Sequence, residues 1–432
     1  PRFPYRGMHL DVARHFMPES FIYKILDYMA IHKLNRFHWH LVDDQGWRIE
    51  IKQYPELTNI GAWRVDMNER HWNDRPLTND RSNADYGGFY TQEQIRRIVA
   101  YAKQRNITVM PEIEMPAHVM SALAAYPELS CTGENLGVPP GGVWPITHIY
   151  CAGNEQTFTF IENVLTEVMD LFPSELIHIG GDEADKTNWQ KCTKCQQRIK
   201  DEGLANEAEL QSYFVRRIGE FLNKNNRTLV GWDEILEGGS INNTVIMSWR
   251  GEEGGIEAAK NGNKAIMTPG SHCYFDHYQG DEDLEPLAFG GYTPLKKVYD
   301  YEPIPTQLND EQAKLIIGAQ ANHWSEYMPN EKQVEYMAFP RLAALAEVLW
   351  SPKNARSWPD FSRRMYAQYN RYEILGINYS KSAFQVKINA EADTLTKSIK
   401  LKLETDVPNA EIRYTINGNE PNINSSKYTT PV

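Results

Sequence analysis

Short runs of strand character alternate with longer runs of helical spacing along most of this chain, and that alternation narrows the folds open to it. The strand-like runs are Gly7 to Val12, Phe37 to Val42, Ile107 to Ile113, Leu176 to Gly180, Leu229 to Trp232, Thr244 to Trp249, Lys264 to Thr268 and Leu315 to Ala321. Between them lie helix-like runs. Glu19 to Lys33 carries Phe21, Ile22, Ile25, Leu26, Met29 and Ala30 on one face, with Ser20 and its neighbours as caps. Thr91 opens a helix to Gln104, and Gln94 completes a capping box. Glu155 to Leu171, Glu207 to Asn223, Glu252 to Lys260 and Val334 to Leu349 follow. Eight strands, mostly followed by helices, predict a (β/α)8 TIM barrel, α/β in class, over residues 1–376. Two stretches depart from the rhythm. Gln53 to Tyr90 reads as an irregular aromatic insertion, and Gly270 to Tyr301 as a functional loop followed by a degenerate helix. A doubly wound open sheet would place a phosphate-binding glycine loop after the first strand, and Val12 is not followed by one.

After Asn378 the pattern changes. Phe384 to Ile388, Ser398 to Leu403 and Glu411 to Ile416 alternate apolar and polar residues, and Asn417-Gly418 is a hairpin-turn signal. Residues 377–432 therefore read as a β-rich, sandwich-like appendage, truncated because so few strands make a thin core.

Bulk properties remove whole classes of function. The net charge is −12 and no basic patch is evident, which argues against nucleic acid. No apolar run is long enough to span a membrane. Acidic residues accompanied by many Trp and Tyr suit a neutral, hydroxyl-rich partner. The chain has neither an initiator Met nor a charged-then-apolar leader, so the expectation is a mature or trimmed form. Five cysteines include a C-x-x-C, Cys192 and Cys195, but a zinc site wants a second ligand pair and no second C-x-x-C exists. Cys131 and Cys151 flank a Gly/Pro-rich loop and can close it with a disulfide, leaving Cys273 over. The sequons at Asn226, Asn242 and Asn378 are patterns that also arise by chance. A periplasmic, cell-surface or secreted location is expected.

TIM barrels keep their chemistry at the carboxyl ends of the strands. His178-Ile179-Gly180-Gly181-Asp182-Glu183 ends a strand in two glycines and two adjacent carboxylates. By itself such a pair also suits a solvated loop or the first turn of a helix. The other strand ends carry Asp11 and Arg14; Asp43, Asp44 and Trp47; Glu112, Glu114 and His118; Trp232, Asp233 and Glu234; Trp249 and Arg250; Tyr274 and Asp276; Trp324 and Glu326. Any one of these aromatics is as easily a core residue, and Asp44 or Asp233 as easily a cap. Together they suit a sugar. Indole faces stack on a pyranose, carboxylates and Arg bind hydroxyls, and one carboxylic acid protonates a leaving oxygen. A competing pattern is His38-Trp39-His40, an H-x-H of the kind that binds metal in barrel amidohydrolases. Strict alternation would set that pair opposite to Asp43, and further His or Lys ligands at later strand tails are not evident.

These motifs resemble the family 20 glycoside hydrolases, the β-N-acetylhexosaminidases. The matching strings are Arg6-Gly7-Met8-His9-Leu10-Asp11-Val12-Ala13-Arg14-His15, Phe37-His38-Trp39-His40-Leu41-Val42-Asp43-Asp44-Gln45, and Pro111-Glu112-Ile113-Glu114-Met115-Pro116-Ala117-His118. They continue with His178 to Glu183, Gly231-Trp232-Asp233-Glu234 and Trp324-Ser325-Glu326. Ala117 stands where many members have Gly. Ile412 to Thr415 with Asn419-Glu420-Pro421 resembles a β-sandwich module found behind the barrel in some bacterial members. The resemblance implies an enzyme that removes terminal GlcNAc or GalNAc from glycans. Glu183 would be the general acid and then base, with its pKa raised, and Asp182 would orient the substrate's acetamido group. Tyr274 would bind that group, and Trp232, Trp249 and Trp324 would wall the pocket. Arg14, Asp276 and Glu326 would hold hydroxyls, and Asp43 and His118 would form a supporting pair. No metal and no organic cofactor is implied. A disaccharide-releasing enzyme of the same family and a non-catalytic glycan-binding barrel are the alternatives.

Overall fold

The computed structural model describes every residue except Ser240, Leu395 and Thr396, and leaves the side chain of Asp393 undescribed. Eight parallel strands close into a barrel: β1 (Tyr5–Asp11), β2 (Arg36–His40), β3 (Thr108–Glu112), β4 (Leu176–His178), β5 (Thr228–Trp232), β6 (Thr244–Ser248), β7 (Lys264–Met267) and β8 (Ile316–Ala321). Each pairs with its neighbours in sequence, and β1 closes on β8 with Tyr5 opposite Gly318 and Met8 opposite Ala321.

Alternation along the strands sorts side chains into two populations. Met8 and Leu10 of β1, Phe37 and Trp39 of β2 and Ile246 of β6 join the large core between barrel and helices. Tyr5, Met110, Val230, Trp232, Val245, Met247 and Ile266 form a separate cluster inside the barrel. That interior is partly polar. Tyr5 donates to Gln320 at 2.6 Å, and Gln320 Nε2 lies 3.0 Å from His38 Nδ1.

The helices at Glu19–Ile31, Gln92–Gln104, Glu155–Leu171, Glu207–Lys224 and Glu253–Lys260 fall where their apolar spacing places them, and Thr91 and Gln94 form the expected capping box. Three local expectations are corrected. The helix at Glu19 begins after Pro18 with no side-chain cap, so Ser20 is inside it rather than capping it. The run from Val334 to Leu349 is two helices, Glu331–Ala338 and Arg341–Trp350. Pro340 lacks an N–H and disfavours helical geometry at Phe339, so the pattern breaks there although the apolar spacing continues. Asn417-Gly418 is a bend, not a two-residue hairpin: Arg413–Tyr414 pairs with the distant Ser426–Lys427.

The C-terminal part holds the antiparallel pair β9 (Lys387–Asp393) and β10 (Ser398–Glu404), tied to the preceding helix where Trp358 Nε1 donates to the Asp406 carbonyl. Phe384 lies just before β9 in a short 3-10 turn. Among the described residues no helix is long and apolar enough to cross a membrane.

Buried arginines hold the irregular segments at the carboxyl end of the barrel. Arg48 donates to the carbonyls of Val12, Ala62 and Gly88, which seats the 53–90 insertion beside β1. Arg341 donates to the carbonyls of Phe275, His277 and Thr293, which fixes the loop after β7. Tyr274 extends the β7–β8 pairing by bridging to Asn322. The degenerate seventh helix is the short Leu295–Asp300.

Candidate active site

The strand ends converge on a cleft of about 200 Å³, lined by Arg14, His118, Asp182, Glu183, Trp232, Trp249, Tyr274, Asp276, Phe289, Trp324 and Glu326. Ten of these are residues named from the sequence. The remaining one from that reading, Asp43, lies directly behind, 2.9 Å from Arg14 Nη2. Phe289 was not anticipated; it is one of several aromatics in the 270–301 segment, and nothing in the sequence around it distinguishes it from Tyr278 or Tyr292.

Gly180 shows why the glycines precede the acid pair. Its φ is +71°, and a Cβ there would lie 1.7 Å from Glu114 Oε2. The turn is left-handed and presses on a buried carboxyl, which only glycine permits. Glu183 then sits at φ +51° and His118 at φ +54°, two non-glycine residues in the left-handed region facing one another. Backbone strain of this kind gathers at functional sites.

His118 organises the charges. Its Nδ1 is 3.2 Å from both Asp43 Oδ1 and Asp44 Oδ2; its Nε2 is 3.5 Å from Asp182 Oδ2 and 3.4 Å from Glu183 Oε2. Burial disfavours its charged form, but Asp43 and Asp182 outweigh burial and hold it well above the ordinary imidazole value. Asp182 is pushed up to about 6, chiefly by burial, against the pull of the His118 charge. Glu183 departs from expectation. Burial pushes it up, but the adjacent His118 imidazolium and the charge of Arg14 prevail, so it lies below the usual glutamate value in the ligand-free site.

The pocket walls are aromatic. Trp249 and Tyr274 lie nearly parallel at 6.0 Å, and Trp232 and Trp324 approach to 5.8 Å. Glu234 Oε2 accepts from Trp249 Nε1 at 2.9 Å and so fixes that indole; burial and the charge of Asp182 raise Glu234 to about 8. On the opposite side the Arg14 guanidinium lies 5.1 Å from the Trp324 ring, 3.3 Å from Asp11 and 3.8 Å from Glu326. Burial raises both Asp276 and Glu326. Asp182 Oδ1, Asp276 Oδ1 and Glu326 Oε2 are buried yet make no hydrogen bond among the described residues. Buried acceptors are normally satisfied, so three orphans in one cleft point to a ligand that donates to them.

The H-x-H pair packs inside the barrel with a carboxylate. His38 and His40 do point the same way, into the barrel, but around a carboxylate. Glu112 Oε2 lies 3.0 Å from His38 Nε2 and against His40 Nδ1, and its Oε1 is 2.8 Å from His178 Nδ1. His40 Nε2 is also 2.8 Å from Asp43 Oδ2. Asp43 therefore joins the histidines, because β2 ends at His40 and the chain turns into the hairpin of Val42–Asp43 with Gly46–Trp47. An ionic chain thus runs from the barrel core through Glu112, His40, Asp43 and His118 to the acid pair.

A larger opening of about 710 Å³ lies at the other end of the barrel, lined by Arg36, Glu175, Thr228 and Lys264. Barrel chemistry belongs to the carboxyl end, so the small cleft takes precedence over the large one.

An acid pair, aromatic walls and orphaned acceptors thus gather at the carboxyl end of a closed (β/α)8 sheet. Residues 3–353 match the glycosyl hydrolase family 20 catalytic domain, and residues 390–432 match the chitobiase/beta-hexosaminidase C-terminal domain. The chain belongs to glycosyl hydrolase family 20. A beta-hexosaminidase of Porphyromonas gingivalis is 46% identical over 100% of this chain and 54% of its own length. One from Vibrio furnissii is 40% identical over 80% of this chain and 56% of the relative. The crystal structure of an exo beta-N-acetylglucosaminidase from Vibrio harveyi with N-acetylglucosamine superposes with a TM-score of 0.77 at 35% identity, covering 88% of this chain and 60% of that one. The chain thus spans about half the length of the curated relatives it matches.

Proposed function

We propose that the protein is a retaining, exo-acting β-N-acetylhexosaminidase that removes a terminal, non-reducing GlcNAc or GalNAc from glycans. The observation that carries this reading is the pairing of Asp182 and Glu183 on one strained turn, both facing His118, at the floor of an aromatic cleft. A retaining glycosidase ordinarily spends one carboxylate as nucleophile; family 20 is among the exceptions, in which the substrate's own amide attacks. The acetamido oxygen reaches the anomeric carbon intramolecularly and forms a cyclic oxazolinium ion while Glu183 protonates the leaving oxygen. A well-aligned intramolecular attack is worth roughly 7–11 kcal/mol of barrier. As the amide nitrogen gains positive charge, Asp182 accepts its N–H and stabilises it. Tyr274 binds the amide from the other side, and Trp232, Trp249 and Trp324 enclose the ring and the acetamido methyl. Arg14, Asp276 and Glu326 hold the hydroxyls. Glu183 then takes a proton from water, which opens the ion with net retention.

The ligand-free proton distribution fits a switch on binding. Asp182 holds the proton more tightly in the open cleft. An acetamido N–H donating to Asp182 favours its anion, and a sugar covering Glu183 strips away solvent and favours its neutral acid. Substrate itself therefore moves the proton to the residue that must donate it.

The cleft's roughly 200 Å³ supports an exo mode with one buried ring. A separate groove of about 370 Å³ on the far side of Glu183, lined by Trp144, Pro145, Ile146 and Trp249, offers room for the leaving saccharide. Product mass, together with the anomeric proton signals of the first product, from a β-linked GlcNAc tetrasaccharide tests the proposal. Release of single N-acetylhexosamine units with β configuration at first appearance is expected; disaccharide release or inversion would defeat it.

A further inference from the structure

The four cysteines other than Cys273 come together in space. Cys131 Sγ is 3.6 Å from Cys195 Sγ, and Cys151 Sγ is 3.7 Å from both Cys192 Sγ and Cys195 Sγ. All four sulfurs lie within 4.8 Å of one another, and none is bonded to another. The expected Cys131–Cys151 disulfide is therefore not formed. The second ligand pair that the C-x-x-C lacked in the sequence is present after all, drawn from the two ends of the 131–151 loop.

We infer that Cys131, Cys151, Cys192 and Cys195 form a structural tetrathiolate site for a single zinc ion. Zinc bound by four thiolates is tetrahedral with Zn–S of about 2.3 Å, which sets sulfurs about 3.8 Å apart. The three separations of 3.6, 3.7 and 3.7 Å match the edge of such a tetrahedron, and the remaining pairs lie within 4.8 Å. A soft four-sulfur cage in this geometry selects zinc over hard cations.

The surrounding chain is built for close docking of the two ligand pairs. Cys192 and Cys195 lie at the start of the helix Thr193–Asp201, with Cys192 as its N-terminal flank and Cys195 in its first turn. Gly153, two residues after Cys151, packs so tightly on that turn that a Cβ would lie 2.2 Å from the Lys194 carbonyl carbon. Further contacts bind the same two segments. The Thr147 carbonyl accepts from Asn188 Nδ2 at 2.9 Å, and the Tyr150 carbonyl from Trp189 Nε1 at 2.8 Å. The ion would pin the 131–151 loop to the segment that follows the acid pair. Pro145 and Ile146 of that loop share the outer groove with Glu183, so the site would brace the wall on the leaving-group side. It is distinct from the hydrolytic centre and takes no part in the chemistry there.

The protein, purified without chelator under reducing conditions, is assayed for metal by plasma mass spectrometry and for thiols after denaturation with chelator. The expected result is one equivalent of zinc per chain and reaction of all five cysteines. A mercurial thiol reagent should release the zinc to a chromogenic chelator. Cobalt taken up in its place should show the intense thiolate charge-transfer and visible bands of a tetrahedral sulfur site. The double substitution Cys192→Ser with Cys195→Ser should abolish zinc binding, whereas Cys273→Ser should keep it. The wild-type metal and thiol measurements decide the matter even if the double variant does not fold. Absence of metal from the wild type after incubation with zinc, iron in place of zinc, or reaction of Cys273 alone because the other four are paired as disulfides would each overturn the inference.

Discussion

His118 Nδ1 and Asp43 Oδ1 lie 3.2 Å apart, both buried, and this contact links the acid pair of the cleft to the charged interior of the barrel. Through it the state of Asp182 and Glu183 depends on residues that touch no substrate. Asp43 holds the imidazole charged and oriented, and the charged imidazole in turn depresses Glu183.

Replacing the acid pair should separate chemistry from folding. Glu183→Gln removes the proton donor and is expected to cut kcat by ~10²–10⁴-fold on a substrate with a poor leaving group. Asp182→Asn removes the anion facing the oxazolinium and should cost ~10²–10³-fold. Circular dichroism and melting should stay close to wild type for both. Wild-type turnover in either variant would end the proposed mechanism.

The alkaline limb of kcat/KM should depend on His118. The acid pair of the free protein carries its last proton only below about 6, where Asp182 titrates, so activity is expected to decline as pH rises through that value. His118 lowers both carboxyls, so His118→Asn should raise both and move the limb to higher pH, together with a lower maximum rate. A pH profile of the variant that keeps the wild-type limb would show that His118 does not tune the pair.

The buried His40–Glu112 contact should appear in stability. Burial opposes a charge on His40, but Glu112 prevails and raises it from 6.5 to about 10. A group with a raised folded pKa stabilises fully below its unfolded value and loses that contribution as pH climbs toward the folded one. Breaking a buried ion pair costs about 3–5 kcal/mol. Urea unfolding should therefore find His40→Gln less stable by that order below pH 6.5, with the gap to wild type narrowing toward pH 10. A gap independent of pH would show that His40 is neutral in the folded protein.

Gly180→Ala should be damaging despite its small size. The added carbon meets Glu114 at 1.7 Å, and φ of +71° is strained for any side chain. Backbone strain of this kind costs about 1–3 kcal/mol, and displacement of the turn should lower kcat well beyond the loss in melting temperature. The measurement is kcat beside a thermal melt; a variant that keeps both would show that the turn yields easily.

The sequence alone determined the barrel and the carboxyl-end roster. Strand and helix periods are local properties, so strands such as Lys264–Met267 and helices such as Glu155–Leu171 are legible from a few residues on either side. Motifs such as Gly180-Gly181-Asp182-Glu183 are likewise contiguous. What only tertiary structure decided are relations between segments far apart in the chain. His38 and His40 read as a candidate metal pair, and His178 only as the start of a strand-end motif, until Glu112 is seen among them. Arg341 gives no hint that it holds the loop after β7. The sense of the Glu183 shift was missed because it depends on whether His118 or burial dominates, and that balance is set by distances of a few ångströms. The cysteines make the same point: spacing reveals a pair when both members share one turn, as Cys192 and Cys195 do, and hides it when a loop of nineteen residues separates Cys131 from Cys151 and the fold brings both to meet them. Local periodicity is written into adjacent residues, whereas electrostatics and ligation depend on through-space distances that exist only once the chain has closed on itself.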